Sequence, residues 1–511
     1  MQKRALMSSF VALAMSAGLV VACGDDDDDD ANTNITPSPD GGSHTPDSGS
    51  PDPGNDKDAA TADSEAPATA VTPLTTTRIA NAINPYGLVY ASDGFLYASG
   101  ATNDSGTQKL AVWRFKEGAL DKTFGTDGVM TLDIAGNESS FDIVEVSAGN
   151  FVVQAVSGGK IYLVKLTKDN AGAFAFGTPK FVKLGYDEGE GWPAGTPNMP
   201  ATAPSYNSWG IGLDKSNAAS PKIVVFAAGA PAKAANVAQQ RIDNDRWITR
   251  VDANTLAFDT TFNGGAPFTA DADGKGLGDN ARRGIVLADG SIVSSGYTNF
   301  ETGLLHHVVL IRLLPNGTVD PAFGFGTTAP GIPGQTKFNP FVASGGSAEA
   351  YGVVRQSSGR YVTTGYGTSN FEIASKSVDL VSFGVNAEGL DATYGKQGSF
   401  AWQSENDRGA GLGGSPFTDR GRDIAVLPDD RVVHVGVYDD YASVFVLDKN
   451  GNPDPSSGNN GLIEYSYPAA FFKVAVSPDG KQIAASTQSL NQTGDAGAPL
   501  GSVLVTLKVG Q

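Results

Sequence analysis

Cysteine is almost missing from this chain: its 511 residues contain one, at position 23. No disulfide can form within the chain, so the fold must be held by its core alone. Histidine is nearly as scarce. Three of the four lie beyond residue 70: His306, His307 and His434. Charged residues make up only 18%, and Lys plus Arg number 36 against 55 Asp plus Glu. The net charge of −19 excludes nucleic acid as a partner on electrostatic grounds. Catalytic signatures are lacking too. There is no Gly-x-Ser-x-Gly, no His-Glu-x-x-His and no cysteine cluster.

What is present begins with a targeting signal. Lys3 and Arg4 precede the apolar run "ALMSSFVALAMSAGLVVA", which is too short and too rich in Ala and Ser to span a membrane. The run ends in "VVAC", residues 20–23, which resembles the bacterial lipobox. That resemblance implies a signal peptide over 1–22, lipidation of Cys23 and anchoring to a membrane of a bacterial cell envelope. The outer membrane or cell surface is expected rather than the inner membrane. Residues 23–70 follow as an acidic tether. Between Asp25 and Glu65 it carries 13 acidic side chains and almost no large apolar ones, so nothing offsets the entropy of ordering it. As a flexible coil its 47 residues after Cys23 span roughly 35–40 Å.

From 71 to 511 the composition changes. Glycine reaches 64 residues in the chain, well above the usual ~7%. Short apolar stretches alternate with Asp-Gly, Ser-Gly and Asn-Gly turns, the chemistry of β-hairpins. A first stretch opens each of seven units: "YGLVYASDG" (86–94), "FDIVEVSAG" (141–149), "WGIGLDKSN" (209–217), "RGIVLADG" (283–290), "YGVVRQSSG" (351–359), "RDIAVLPDD" (422–430) and "FKVAVSPDG" (472–480). A second stretch, often ending in Gly, and a third follow each one. After the third comes a recurring turn: "ALDKTFGTDGV" (119–129), "TVDPAFGFGT" (318–327), "GLDATYGKQGS" (389–399), and the weaker "AFDTTFNGGA" (257–266) and "NPDPSSGNNG" (452–461). It leads into a ragged fourth strand.

Four antiparallel strands in about 62 residues, repeated seven times, make an all-β seven-bladed propeller. Six or eight blades are the alternatives, because units two and three are irregular and the insertion at 185–208 is long. The chain stops after the third stretch of the last unit, so "TPLTTTRIA" (72–80) is expected to supply the missing strand and close the ring. Phe124, Phe262, Phe323 and Tyr394 of the turn are expected between blades, with the Asp capping the turn.

"LAVWRFKEGALDKTFGTDGV" and "HVVLIRLLPNGTVDPAFGFGT" resemble the delta-60 repeat of bacterial secreted and surface propellers. The resemblance covers most of 79–511 and is clearest in units one, four and five. It implies a propeller outside the cytoplasm and no particular activity. The Trp-centred motif of quinone-cofactor propellers is not found.

Aligning the units isolates one position, the residue that starts each first strand: Tyr86, Phe141, Trp209, Arg283, Tyr351, Arg422 and Phe472. Five aromatics and two arginines at one place are expected to ring the mouth of the central channel, with Tyr206, Arg282, Arg420 and Phe471 close by. Flat rings and forked donors suit a glycan or a protein ligand; the bland alternative is packing between blades. Asp142, Asp419 and Asp423 beside Arg420 and Arg422 are the acid/base candidates if the chain is instead a hydrolase or lyase. A third reading is a structural spacer that binds nothing. His306 and His307 are adjacent on a strand and point to opposite faces, so they and His434 are read as structural. "DADGKGLGD" places Asp271, Asp273 and Asp279 in a Gly-rich loop suited to calcium, without a closing Glu. "DKNGNPD" (448–454) offers oxygens too, but it fills the slot of "LPNGTVD" and is read as a turn. The expected protein is a monomer that meets the membrane through its lipid and a protein or glycan through its channel face.

Overall fold

A computed structural model describes residues 70–510, except 105–106, 135, 273–275, 301–304, 325–332, 343–344, 369–378, 403–418, 440, 468 and 489–500. The signal peptide, Cys23 and the acidic tether lie outside the described residues. So does Asp273.

Seven antiparallel sheets form seven blades. Their innermost strands are Ala82–Tyr90, Glu138–Ser147, Tyr206–Asp214, Asp279–Val286, Ala348–Arg355, Arg420–Val426 and Phe471–Val476, which we number blades 1 to 7. Each inner strand packs beside the next, and that of blade 7 packs beside that of blade 1. The circle is thus complete with seven members. In blade 7 the outer strand is Val71–Ala80, paired with Gly501–Val509 from Val71↔Val509 to Ala80↔Gly501. The two ends of the chain therefore close the ring, as expected.

The recurring turn does what its residues suggested. Phe124, Phe262, Phe323 and Tyr394 are fully buried. Phe124 lies edge-on to Tyr97 of its own blade and to Phe174 of blade 2, with centroids 5.8 and 5.2 Å apart. Phe323 meets Tyr361 of blade 5 in the same manner at 5.6 Å. The aspartate clasps the turn. Asp121 Oδ1 accepts from Thr123 N and Oγ1 at 3.0 and 2.7 Å, and Asp259, Asp391 and Asp454 repeat the pattern with Thr261, Thr393 and Ser456. The other carboxylate oxygen pairs with an arginine: Arg114, Arg250, Arg360 or Arg431. Burial alone would raise these carboxyls. The Thr or Ser and Arg bonds outweigh it and hold all four below the usual carboxylate range.

Strand direction gives the ring two unlike ends. At one, the first and second strands of each blade join by loops of two to seven residues, and in blades 1, 3, 4, 5 and 6 the recurring turn leads from the third strand to the fourth. This is the turn face. At the other, the connections range from one residue, Asn81, to 24 at 182–205. This is the variable face.

Candidate functional site

Every inner strand carries a β-bulge, and every bulge falls on the aligned position. Pairing with the second strand skips from Ile83 to Gly87, Ser139 to Asp142, Ser208 to Gly210, Ala281 to Gly284, Ala350 to Gly352, Gly421 to Asp423 and Phe471 to Lys473. A bulge frees one residue from the ladder and re-aims it. Here it turns Tyr86, Phe141, Trp209, Arg283, Tyr351, Arg422 and Phe472 toward the axis. It also pushes an inner-strand carbonyl against the second strand, which explains the glycine that ends many second stretches. A Cβ on Gly296, Gly365 or Gly436 would lie 1.9–2.0 Å from the oxygen of Asn280, Glu349 or Arg420.

The seven residues meet one another. Tyr86 stacks on Phe472 at 4.3 Å and packs on Phe141 at 5.2 Å; Phe141 packs on Trp209 at 5.1 Å, and Trp209 on Tyr351 at 6.0 Å. The Arg422 guanidinium lies over Phe472 and Tyr351, at 4.7 and 5.1 Å. Arg283 sits at the centre. Its Nη1 donates to Phe141 O (3.2 Å) and Trp209 O (3.0 Å), and its Nη2 to Tyr86 O (3.4 Å) and Phe472 O (3.0 Å). One guanidinium from blade 4 thus collects carbonyls from blades 1, 2, 3 and 7, each from a bulge. Six of the seven residues are buried and Arg422 is half-buried. The arrangement is a filled plug across the axis.

One step further along the inner strands lie Asp142, Asp423 and Lys473. Asp423 Oδ1 is 3.3 Å from Arg283 Nε, and Lys473 Nζ is 3.2 Å from Asp142 Oδ1 and 3.7 Å from Asp423 Oδ2. The amides of Ile211 and Val474 donate to the two carboxylates at 3.2 and 3.1 Å. Two cations balance two anions in this buried layer. Asp419 is elsewhere: its Oδ1 accepts from the Asp439 amide at 2.8 Å.

Around the plug, on the variable-face side, Arg282 donates to Tyr297 Oη at 3.0 Å and lies over Trp209 at 4.5 Å. Arg420 lies over Tyr366 at 4.6 Å, Phe471 is fully buried, and Tyr206 Oη accepts from the Gly185 amide at 3.1 Å.

Of the three calcium candidates, Asp273 lies outside the described residues and the other two are engaged by protein groups. Asp271 bonds to Arg241, which it shares with Asp243 and Asp245. Asp279 Oδ2 accepts from the Ala272 amide at 2.6 Å. The loop's positive charge therefore comes from an arginine 30 residues upstream of Asp271 in the chain. Among the described residues no three His, Cys, Asp or Glu side chains come together as metal ligands. In "DKNGNPD", Asp448 Oδ1 accepts from the Asn450 and Asn452 amides at 2.9 and 2.8 Å, as a turn should.

The histidines divide. His307 Nδ1 lies 3.3 Å from Leu305 O. His434 is wholly buried, its centroid 5.9 Å from that of Trp402, and burial pushes its pKa down to about 3, so it is neutral. His306 bonds through Nδ1 to Glu349, a pairing of positions 43 apart that no spacing rule could reveal.

No family model matches the chain, and no curated protein matches it either. Solved structures do. The PQQ-bound aldose sugar dehydrogenase of Streptomyces coelicolor is 14% identical over 85% of this chain and 99% of its own, with a TM-score of 0.35. A protein from Lactobacillus plantarum is 13% identical over 72% of this chain and 82% of its own, with a TM-score of 0.41. The polysaccharide lyase Uly1 is 9% identical over 84% and 91%, also with a TM-score of 0.41. The blade count rests on the strand order described above.

Proposed function

We propose that this chain is a lipid-anchored propeller of the bacterial cell envelope that binds a protein partner on its variable face. The observation that carries the reading is the placement of exposed apolar side chains. Among the described residues the exposed large hydrophobics are Leu74, Met199, Ile242, Val342 and Tyr441. Met199, Ile242 and Val342 stand on connections of the variable face and Tyr441 begins a strand at that same face; Leu74 is on the closing strand. Insertions that depart from a repeat on one face are where repeat proteins place their contacts. Apolar side chains held out on polar loops fit a protein surface.

The axis supports binding over acid–base chemistry, because Asp142 and Asp423 are engaged by Lys473 and Arg283 in a buried layer. The tether fits the same reading. Gly510 N donates to Ala70 O at 2.9 Å beside the Val71↔Val509 pair, so the chain reaches the propeller at the turn face. Entry at the turn face would leave the variable face free for a partner while a lipid on Cys23 held the chain. The signal-peptide and delta-60 resemblances support the envelope location.

Photo-crosslinking residues placed at Met199, Ile242, Val342 and Tyr441, and at Lys122 and Asp169 on the turn face, test the proposal in cells. Discrete protein adducts should form from variable-face positions and not from turn-face ones. Equal adducts from both faces, or none from the variable face, would overturn it.

A further inference from the structure

His306 belongs to the third strand of blade 4, Leu305–Leu313, and Glu349 to the inner strand of blade 5. Their side chains bond directly across the seam between the blades. Tyr366 donates to the same Glu349 oxygen and lies 3.5 Å from His306 Nδ1. Glu349 is fully buried, while the His306 side chain keeps 12% exposure, which leaves it a path to solvent. Tyr297 stacks on the imidazole at 4.8 Å. The connection 339–347 of the variable face closes on the backbone of the same residue. Asn339 Nδ2 donates to His306 O at 3.0 Å, and His306 N donates to Ser347 Oγ at 3.1 Å. This connection carries the exposed Val342.

We infer that His306 and Glu349 form a proton-operated clamp that holds blades 4 and 5 and the 339–347 connection together. Protonated, the imidazole is a cation bonded to a buried carboxylate. Deprotonated, it can still donate Nδ1–H, but the buried carboxylate loses its ion pair. The groups around the imidazole pull in both directions. Glu349 favours the charged form. Burial opposes it, and so do Arg282, held on Tyr297, and Arg420, held on Tyr366. The Tyr351 hydroxyl accepts from Arg282 at 3.4 Å. The carboxylate touches the ring, whereas each guanidinium stands one side chain away, so Glu349 decides the direction.

The sign follows. A histidine raised in the folded state adds stability below its unfolded value of about 6.5, and that stability is lost as pH rises through the folded value. His434 acts oppositely. Pushed down to about 3, it favours the fold above pH ~6.5 and costs stability as pH falls from there toward its folded value. Loss of the clamp therefore appears on the alkaline side, where His434 is silent.

The inference is independent of the partner proposed above. The full chain has four histidines, few enough to follow each imidazole by NMR titration, with His306→Asn assigning the signal. We expect His306 to titrate about one unit or more above 6.5, and Glu349→Gln to lower it by at least that amount. Hydrogen exchange at 339–347, corrected for its intrinsic pH dependence, should quicken above the His306 value in the wild type alone. Titration at or below 6.5, or no response to Glu349→Gln, would overturn the clamp. If Glu349→Gln does not fold, the wild-type titration decides.

Discussion

Arg283 shows how much one side chain can organise. A bulge leaves a carbonyl without its ladder partner, and a buried carbonyl without a donor costs ~1–3 kcal/mol. Arg283 answers four of them and faces Asp423 as well. Arginine suits the place because its fork is planar and its charge permanent. Removing it strands four acceptors and unbalances the buried charge layer. Arg283→Met should therefore cost about 3–5 kcal/mol. Arg422→Met, at the equivalent position but half-buried and lying over rings, should cost no more than ~1–2 kcal/mol. Urea midpoints at unchanged slope would measure both. Equal losses would show that the plug has no centre.

At the scale of the element, the recurring turn and the bulge are the working parts. The turn's aspartate serves two backbone-fixing bonds and an arginine, so Asp259→Ala should destabilise by about 2–3 kcal/mol and leave Arg250 partly unpaired. The four clasping carboxyls are held low, so their stabilisation is present above pH ~4 and is lost as pH falls through the lowered values. An acid titration of stability should show a shallower limb in the Asp259→Ala chain; an unchanged limb would mean the clasp contributes nothing. Turns and strands were legible in the sequence because their signals are local: glycine where φ must be positive, Asp and Thr two apart, apolar runs between. The aligned ring was legible for the same reason, as one position repeated seven times. What the ring does was not. Alignment shows seven equivalent residues, and only the depth of the bulges decides that Arg283 becomes the hub and that the rings fill the axis. Lys473 and the Glu349–His306 pair have no equivalents in other units and gave no signal. The Arg241–Asp271 pair was not legible either, because the arginine lies far from the loop in sequence.

For the whole molecule, the decisive feature is that two faces and two chain ends are arranged about one closed ring. Strand Val71–Ala80 contributes ten residues, against outer strands of two to four elsewhere. A chain beginning at Ala82 should expose the edge of Gly501–Val509, lose its single cooperative transition and associate through that edge. Added peptide 70–81 should restore the monomer, as read by size-exclusion chromatography and thermal unfolding; a stable monomer without it would show that six complete blades and one partial blade suffice.

The closing strand is also where the chain enters the ring, at the end remote from the variable face. A partner gripping that face and a lipid holding the other would pull along the strand's own axis. The ladder from Val71 to Ala80 would then be stretched in shear, with its bonds resisting together, and not unzipped one at a time from an end. Were the proposed anchor and partner both engaged, the strand that shuts the ring would carry the load between them, aligned in the direction in which a β-ladder yields last.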